Sequence, residues 1–390
     1  MDIHNRKKTL ARLTERIKNE IPFSEENRKI VLAFKSELLS QNIGPAKVGR
    51  YLQDIIWLNK NFNKNFEDAT VEDIKELVTG LYESDYAQGT IKGIKCMLRK
   101  LYKFIRNVPE KGKYPPEVAW YTLTISQSKT KLPEELLTEE EMKRLILAGK
   151  NERDRALIAT LCDSGARISE IGTMQINYVS FEKIGSKLTI YGKTGSRKIL
   201  VIGCSPYLNT WINHHPFRES PQSPLWVKTD GTPLSYARIS HIIKIAAKKA
   251  GIKKRIYPHL LRHSRATIFA SKITDAQMKN YFGWTQGSKM AAVYIHMNGK
   301  DTDEAILRAH GMELDKEKEI SQLNPVVCGR CGKLNEPTDK FCNCGFVLDE
   351  KEGEKIILEE INRNKANELM TNLMQDPEVL ELFKRKLSVS

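Results

Sequence analysis

Apolar residues recur at intervals of three and four positions over most of this chain, which is the spacing of amphipathic helices. Four such segments lie between residues 27 and 105, and the Gly44-Pro45 turn separates the first two. Thr70, followed three residues later by Asp73, forms the capping-box pattern that begins a helix. We therefore predict a compact all-α domain over residues 20–110.

The helical spacing is interrupted in two places. Residues 111–131 are rich in Pro, Ser, Thr and Lys, which is the composition of a linker. Residues 187–191 and 198–202 are typical of two β-strands, and the Gly-containing turn between them predicts a β-hairpin. We expect a second domain over residues 132–315, so the predicted fold class is mainly α with a small β-hairpin or sheet (α+β).

The formal charge of +15 is unevenly distributed. Residues 346–390 hold ten acidic and seven basic residues, so this tail carries −3 and the rest of the chain carries +18. Such a surplus favours a polyanionic partner, because each phosphate that a protein cation neutralises releases counterions. It is also the charge of a merely soluble basic protein, so charge alone does not identify the partner.

No apolar stretch in the sequence approaches the roughly 20 residues that a membrane-spanning helix needs. The first eight residues are polar and lack the apolar core of a signal peptide. We expect a cytoplasmic protein without a membrane partner.

Three segments of the second domain carry reactive residue types in a fixed order. Residues 161–171 contain Gly-Ala-Arg-x-x-Glu, residues 258–263 read Pro-His-Leu-Leu-Arg-His, and Phe282-Gly283-Trp284 is followed ten residues later by Tyr294. In order and spacing they resemble the boxes of the tyrosine recombinase (phage-type integrase) family, and in particular its Xer-like prokaryotic members. The helical first domain resembles the core-binding domain of that family, so the resemblance covers about residues 20–312.

The resemblance implies a site-specific recombinase that cleaves and rejoins DNA through a 3′-phosphotyrosine intermediate, with Tyr294 as the nucleophile. Attack on a phosphodiester builds negative charge on the phosphate, which Arg167 and Arg262 would stabilise with their planar sets of donors. The phosphotyrosine conserves the energy of the broken bond, so catalysis needs no metal or other cofactor.

The remaining roles also come from the resemblance. His259 would hold or move the proton of the nucleophile. Trp284 would donate its indole N–H where many relatives have a histidine, and Lys193 in the hairpin would protonate the departing 5′-oxygen. Glu170 and His263 would support these groups. Trp284, and Ala166 in place of the usual leucine, are mild departures from the family pattern.

Two assignments have alternatives in the sequence. The nucleophile could also be Tyr191, Tyr257 or Tyr281, and the general acid could also be Lys187 or Lys198. Tyr281 precedes the Gly-Trp pair, which is the wrong side for the family pattern, and all three tyrosines are also typical core aromatics. Gly192-Lys193 fits the Gly-Lys-Gly pattern of the family, although Thr194 intervenes before the second glycine.

The seven cysteines fall into two groups. Three are isolated, and we expect reduced core thiols at Cys96, Cys162 and Cys204. The other four form two pairs separated by ten residues, namely Cys328 with Cys331 and Cys342 with Cys344. Four thiolates at this spacing suit tetrahedral Zn²⁺, so we predict a structural zinc ribbon over residues 325–348. Two disulfides or an iron–sulfur cluster are the alternatives.

Residues 350–390 predict an amphipathic helical tail. Its apolar positions are Ile357, Ile361, Leu369 and Leu373, and Asp376-Pro377 begins a short final helix. The negative charge of the tail favours contact with a protein, such as another protomer, over contact with DNA. For the ribbon, DNA and a second protomer both stay open.

Three functions are compatible with these features. The first is a recombinase that acts as a homo-tetramer on paired sites in double-stranded DNA and is associated with the nucleoid. The second is a type IB topoisomerase-like enzyme that relaxes DNA, which the recombinase-like first domain disfavours. The third is a non-catalytic DNA-binding regulator on the same scaffold, which the complete set of reactive residues disfavours. The motifs are common to integration, chromosome-dimer resolution and inversion.

Overall fold

The computed structural model describes residues 2–123, 133–192, 195–297, 310 and 321–387. The chain divides into two compact units, Met1–Thr130 and Lys131–Ser390. Both units are mainly helical and the sheets are small and antiparallel, which confirms the predicted α+β class. Among the residues that the structure describes, no helix is both long and apolar enough to cross a membrane.

The first unit is a helical bundle around one apolar core. Its helices are α1 (Arg6–Asn19), α2 (Glu25–Ser40), α3 (Pro45–Asn61), α4 (Val71–Glu83), α5 (Gln88–Ile105) and α6 (Pro116–Ala119). The capping box of Thr70 and Asp73 is present at the start of α4, as predicted. Phe34, Leu52 and Leu98 are among the side chains that α2, α3 and α5 bury in the core.

The bundle is larger than the sequence analysis predicted. Helix α1 precedes residue 20, and its Leu13 and Ile17 are buried in the common core. The segment predicted to be a linker contributes Val118 and Tyr121 to the same core, and the Tyr121 hydroxyl donates to the Lys95 carbonyl at 2.9 Å. Residues 111–123 of this segment therefore contain a short packed helix, and residues 124–131 lie outside the described residues.

The second unit begins with helices and a three-stranded sheet. Its elements up to residue 297 are α7 (Glu139–Leu147), α8 (Glu152–Ser164), α9 (Ile168–Gly172), β1 (Val179–Glu182), β2 (Gly185–Gly192), β3 (Gly195–Val201), α10 (Ser205–Asn213), α11 (Tyr236–Lys249), α12 (Pro258–Ala270), α13 (Asp275–Phe282) and α14 (Met290–Met297). The sheet order is β1-β2-β3 and all pairs are antiparallel. Gly192 pairs with Gly195, so β2 and β3 form the predicted hairpin.

Helix α8 is the centre of this unit. All of its side chains from Ala156 to Ser164 are buried, and it packs against α7, α10 and α12. Because these nine consecutive residues point to every side of the helix, other elements must surround it. Since the Gly-Ala-Arg segment follows α8 directly, this core fixes the position of one motif and, through α12, of the next.

A ribbon and a helical tail complete the unit. Their elements are β4 (Val326–Val327), β5 (Leu334–Asn335), α15 (Glu350–Gln375) and α16 (Pro377–Leu387). The tail is helical as predicted, but no side chain of α15 is buried. At about 100° per residue, Ile357 and Leu373 lie about 160° apart around α15, so the four apolar positions named in the prediction spread over almost half of its circumference.

Candidate active site

Arg167 follows a tight reversal of the chain at the end of α8. Gly165 adopts the left-handed conformation with φ of 54°. A Cβ atom at this position would lie 2.7 Å from the Phe282 ring, so only glycine fits without displacement. The reversal makes Arg167 the N-terminal cap of α9.

Arg167 is held by Glu170, one turn into α9. Its Nη1 donates to Glu170 Oε1 at 2.8 Å, and its backbone N–H donates to Oε2 at 3.0 Å. Burial opposes the charge of Glu170, but hydrogen bonds from Arg197 and Arg167 outweigh it and hold the pKa of this carboxyl below its usual value. Glu170 therefore anchors the guanidinium of Arg167.

Arg197 on β3 is the second partner of that carboxylate, and the sequence analysis did not identify it. Its two Nη atoms lie 2.9 and 3.3 Å from the Glu170 oxygens, and its Nε donates to the Tyr281 carbonyl at 2.9 Å. Strand alternation could have indicated it, because Arg197 shares a face with the buried Ile199 and Val201.

Arg262 lies on α12 and is buried. Its Nη1 donates to the Gly165 carbonyl at 2.9 Å, and its Nη2 donates to the Phe282 carbonyl at 2.7 Å. The guanidinium also lies 5.3 Å from the centre of the Trp284 ring. Burial, and then the nearby charge of Arg167, lower its pKa to about 10, so it stays cationic at neutral pH.

His259 precedes Arg262 by one helical turn on α12. Partial burial lowers its pKa, and the charges of Arg262 and Arg167 lower it further. The ring is therefore neutral near pH 7 and able to accept a proton. Its centre lies 6.4 Å from that of His263.

Tyr294 lies on α14 and is buried in a small apolar cluster, with 3% of its surface exposed. Its ring stacks on Trp284, with centres 5.6 Å apart and planes 6° from parallel. Its hydroxyl lies 2.5 Å from His263 Nδ1. Burial raises its pKa, and Arg262 opposes this only in part, so the phenol is neutral at physiological pH.

The structure thus brings Tyr294 together with His263, Trp284 and Arg262, and it links Arg167 with Glu170. Lys193 and Thr194 lie outside the described residues. The hairpin that carries them adjoins the site, since a Cβ on Gly192 would lie 2.4 Å from Glu170 Oε1.

The rival tyrosines and lysines have other surroundings. Tyr281 packs against Phe269 and Phe282, and burial raises its pKa far above the usual value. Tyr191 is 55% exposed and contacts Tyr178 on the sheet. Lys187 pairs with Glu182 at 2.7 Å.

The four clustered cysteines form a separate candidate metal site. Their Sγ atoms all lie within 4.8 Å of one another, and all four thiols are free. Gly332 and Gly345, which follow the two pairs, have positive φ values of 71° and 83°. Their N–H groups donate to the carbonyls of Cys328 and Cys342, which closes two similar turns. This arrangement could bind one metal ion.

The isolated thiols differ from this cluster. Cys162 and Cys204 are buried, as predicted for core thiols, whereas Cys96 is half-buried. Burial raises the pKa of Cys162 to about 12, so this thiol stays protonated and unreactive at neutral pH.

The ribbon and the residues that lead into it pack on the rest of the second unit. Leu323 is buried, and its carbonyl oxygen would lie 2.5 Å from a Cβ on Gly203. The N–H of Gln322 donates to Glu139 Oε2 at 3.2 Å. Burial raises the pKa of Glu336, next to α10. The ribbon is therefore a docked part of this unit.

Comparison with known proteins finds a family match within the second unit. Residues 135–300 match the Phage integrase family. The tyrosine recombinase XerA of Pyrococcus furiosus is 32% identical over 192 residues, which are 47% of this chain and 65% of that relative. The tyrosine recombinase XerC of Halalkalibacterium halodurans is 25% identical over 304 residues, which are 73% of this chain and 98% of that relative.

Solved structures share the fold. The XerH site-specific recombinase bound to palindromic difH substrate in a post-cleavage complex superimposes with a TM-score of 0.56 at 18% identity, covering 79% of this chain and 97% of that one. A lambda integrase dimer bound to a COC′ core site gives a TM-score of 0.55 at 16% identity, covering 75% of this chain and 80% of that one. Residues 135–300 thus match a phage integrase domain, and the two relatives named above are tyrosine recombinases, a class of enzymes that cleave and rejoin DNA. Within that class, its relatives named above are Xer recombinases, which supports site-specific recombination.

Proposed function

We propose that this protein is a site-specific recombinase in which Tyr294 attacks a DNA phosphodiester. The tyrosine oxygen forms a bond to phosphorus, the bond to the 5′-oxygen breaks, and the strand is held as a 3′-phosphotyrosine. The observation that carries this proposal is the placement of the Tyr294 hydroxyl against His263, beside Trp284 and the charge of Arg262.

Arg167 and Arg262 stabilise the charge on the phosphate. A guanidinium has five N–H donors, and Arg262 directs two of them to the carbonyls of Gly165 and Phe282. Those two bonds fix the plane of the group and leave three donors for phosphate oxygens. Donors that are oriented before the reaction stabilise the transition state most effectively, because little reorganisation is needed.

The proton of the nucleophile passes first to His263. A neutral buried phenol must lose its proton to attack, and the nitrogen in contact with the hydroxyl is Nδ1 of His263 rather than an atom of His259. We assign His259 to the phosphate side, next to Arg262. Trp284 donates its indole N–H to the phosphate, and Lys193 gives a proton to the 5′-oxygen, so one proton is lost and one is gained in each cleavage.

We further propose that the substrate is double-stranded DNA with specific sites and that four copies act on a pair of sites. The charge of +18 outside the tail supports a DNA partner. The first unit then serves as the core-binding domain and the second as the catalytic domain, in a nucleoid-associated protein of the cytoplasm. A lambda integrase of the same fold has been described as a tetramer bound to a Holliday junction.

For the cysteine cluster we propose Zn²⁺ as the ligand. Four free thiols around one point are a closed tetrahedral donor set, which zinc prefers in structural sites. With Cys328, Cys331, Cys342 and Cys344 all bound to the ion, no position stays open for substrate. The metal stabilises the ribbon and takes no part in strand cleavage.

Covalent capture tests the proposal. The protein is mixed with a pool of nicked duplexes with randomised arms, in which the cleaved fragment diffuses away and leaves the adduct trapped. Adducts that survive denaturation are isolated, and their sequence gives the captured duplex. We expect one adduct per chain, with the DNA attached through its 3′-phosphate to Tyr294.

Other outcomes separate the alternatives. Specific binding of DNA without any adduct would contradict the enzyme and favour a regulator. Adduct formation and plasmid relaxation, without exchange between two cloned copies of the captured duplex, would favour a topoisomerase-like enzyme. Exchange of the two copies is the result that we expect.

A further inference from the structure

The C-terminal end of α13 is contacted by three arginines. Three successive carbonyls accept one hydrogen bond each: Tyr281 from Arg197 Nε at 2.9 Å, Phe282 from Arg262 Nη2 at 2.7 Å, and Gly283 from Arg167 Nη2 at 3.5 Å. The last carbonyls of a helix lack partners within it and carry partial negative charge. The carbonyl oxygens at the end of α13 thus accept hydrogen bonds from three arginine side chains.

Arg197 occupies a different place from the other two. Its side chain is 9% exposed, and its Nη atoms lie in bidentate contact with the carboxylate of Glu170. The same Glu170 Oε1 accepts from Arg167. One carboxylate therefore serves two guanidiniums, and a charge of +2 is left among Arg167, Arg197, Arg262 and Glu170.

Gly283 leaves the space that Arg197 fills. It ends α13 in the left-handed conformation with φ of 62°. A Cβ atom there would lie 2.5 Å from Arg197 Nη1, so any other residue would displace the Arg197 guanidinium. The turn at Gly283 and the Arg197 side chain on β3 are therefore in close contact.

We propose that Arg197 is a positioning residue for strand cleavage. It acts through Glu170 on Arg167, and through the Tyr281 carbonyl on the helix end that also holds Arg262. The inference rests on the proposed function, because it assumes that these two arginines bind the phosphate. Arg197 itself does not touch the DNA.

The test is the rate of adduct formation on the captured duplex at saturating protein, with DNA affinity measured separately. We expect Arg197→Gln to slow adduct formation by about 10²-fold, since a displaced neighbour can misplace a reacting group by enough to cost that much. Its affinity for DNA should change little.

The matched control is Arg153→Gln, which removes a similarly buried arginine that contacts Asp154 at 2.7 Å and the Val227 carbonyl at 2.9 Å. The control should cleave at the normal rate.

Two readouts distinguish positioning from a loss of folding. In Glu170→Gln protein, adding Arg197→Gln should cause a smaller loss than it causes alone, because the route through Glu170 is already interrupted and only the route through the Tyr281 carbonyl remains. Arg197 also holds the pKa of Glu170 down. Without it this pKa rises, so the acid side of the rate profile of Arg197→Gln should move to higher pH.

Normal cleavage by Arg197→Gln, fully multiplicative losses in the double variant, or an unmoved pH profile would each overturn the inference. If Arg197→Gln does not fold, the comparison is made with Arg197→Lys. That variant keeps the charge but not the planar pair of donors, and it should cleave at an intermediate rate. A normal rate for it would equally count against Arg197. Failure of the wild-type protein to form any adduct would instead contradict the proposed function.

Discussion

Tyr294 combines a reactive position with an unreactive protonation state. Its ring is fixed by stacking on Trp284, so the hydroxyl has little freedom to move. Burial keeps the phenol neutral, because a phenolate would lose hydration there. In the proposed mechanism, the reaction then depends on the neighbouring His263, and on a DNA phosphate that binds against the two arginines.

Replacing Tyr294 by phenylalanine tests the nucleophile. The ring and its packing stay, so we expect normal DNA binding and no covalent adduct in a denaturing gel. The matched control is Tyr281→Phe, which removes a hydroxyl whose contacts to the Asp163 and Leu200 carbonyls are 3.5 and 3.4 Å long. This control should form the adduct at the normal rate, and an adduct from Tyr294→Phe would move the nucleophile elsewhere.

Variants that lack Arg167 or Arg262 should lose similar cleavage activity but differ in thermal stability. Arg167→Ala and Arg262→Ala each remove a phosphate donor, so adduct formation should fall by roughly 10²–10³-fold in both. Only Arg262→Ala leaves the carbonyls of Gly165 and Phe282 without a donor in a buried place, at a cost of about 1–3 kcal/mol each. Thermal melting should therefore separate the variants, and equal melting temperatures or near-normal cleavage would contradict this assignment.

Several residues of the candidate site could be predicted because their types and spacing are unusual together. Arg167, Glu170, His259, Arg262 and Tyr294 lie within three short motifs. Arg197 has no such setting, since it stands beside Lys198 in a basic stretch of a strand. Strand alternation places Arg197 on the buried face of β3, but its contacts with Glu170 and with the end of α13 are tertiary, and a single sequence does not reveal these.

At the scale of elements, the reversal between α8 and α9 holds two motifs in place. Gly165 contributes its conformation, its lack of a side chain beside Phe282, and the carbonyl that accepts from Arg262. A change there should therefore reach the arginine on α12, although Gly165 itself takes no part in the reaction.

Gly165→Ala should lower both stability and cleavage. The left-handed conformation costs an L-residue about 1–2 kcal/mol, and the contact with Phe282 adds to that cost. The control is Gly251→Ala, where φ is 67° but no heavy atom lies within 4 Å of the added Cβ. Chemical unfolding should show a larger loss for Gly165→Ala, and only this variant should form the adduct more slowly. Equal losses in the two variants would show that the contact with Phe282 is unimportant.

Elements with strong periodicity were predicted more accurately than those with mixed composition. Helices α2 to α5 and the hairpin follow from spacing and caps, whereas α6 lies in a proline-rich stretch whose packing depends on distant partners such as Arg106, 2.7 Å from Glu117. In the tail, helix formation was predictable, but the apolar positions follow no constant face over 26 residues.

At the scale of the whole molecule, the ribbon is a small module without enough core of its own. The short strands β4 and β5, a bridge between Phe341 and Val347 and the cysteine turns hold it together, so a metal ion would supply much of its folding energy. The segment that leads into the ribbon packs near Gly203. Loss of the metal should therefore lower the stability of the second unit and leave the rate of strand cleavage unchanged.

Cys328→Ser combined with Cys331→Ser should release the metal. We expect one zinc per wild-type chain by elemental analysis, none in the double variant, and a lower melting temperature for the variant. Adduct formation below that temperature should be normal, and wild-type cleavage should persist in EDTA. Cys96→Ser, a thiol outside the cluster, should keep its zinc. A metal-free wild-type protein, or cleavage that needs added Mg²⁺, would contradict this view.

The shared carboxylate of Glu170 also constrains how this site can change during evolution. A neutral residue at position 170 would leave three guanidiniums without a counter-charge, and a neutral residue at 197 would leave the carboxylate to pair with Arg167 alone. Either single replacement upsets the balance that the other position maintains. Homologues should therefore have either charged residues at both positions or neutral residues at both. Positions 170 and 197 should vary together even though they are 27 residues apart.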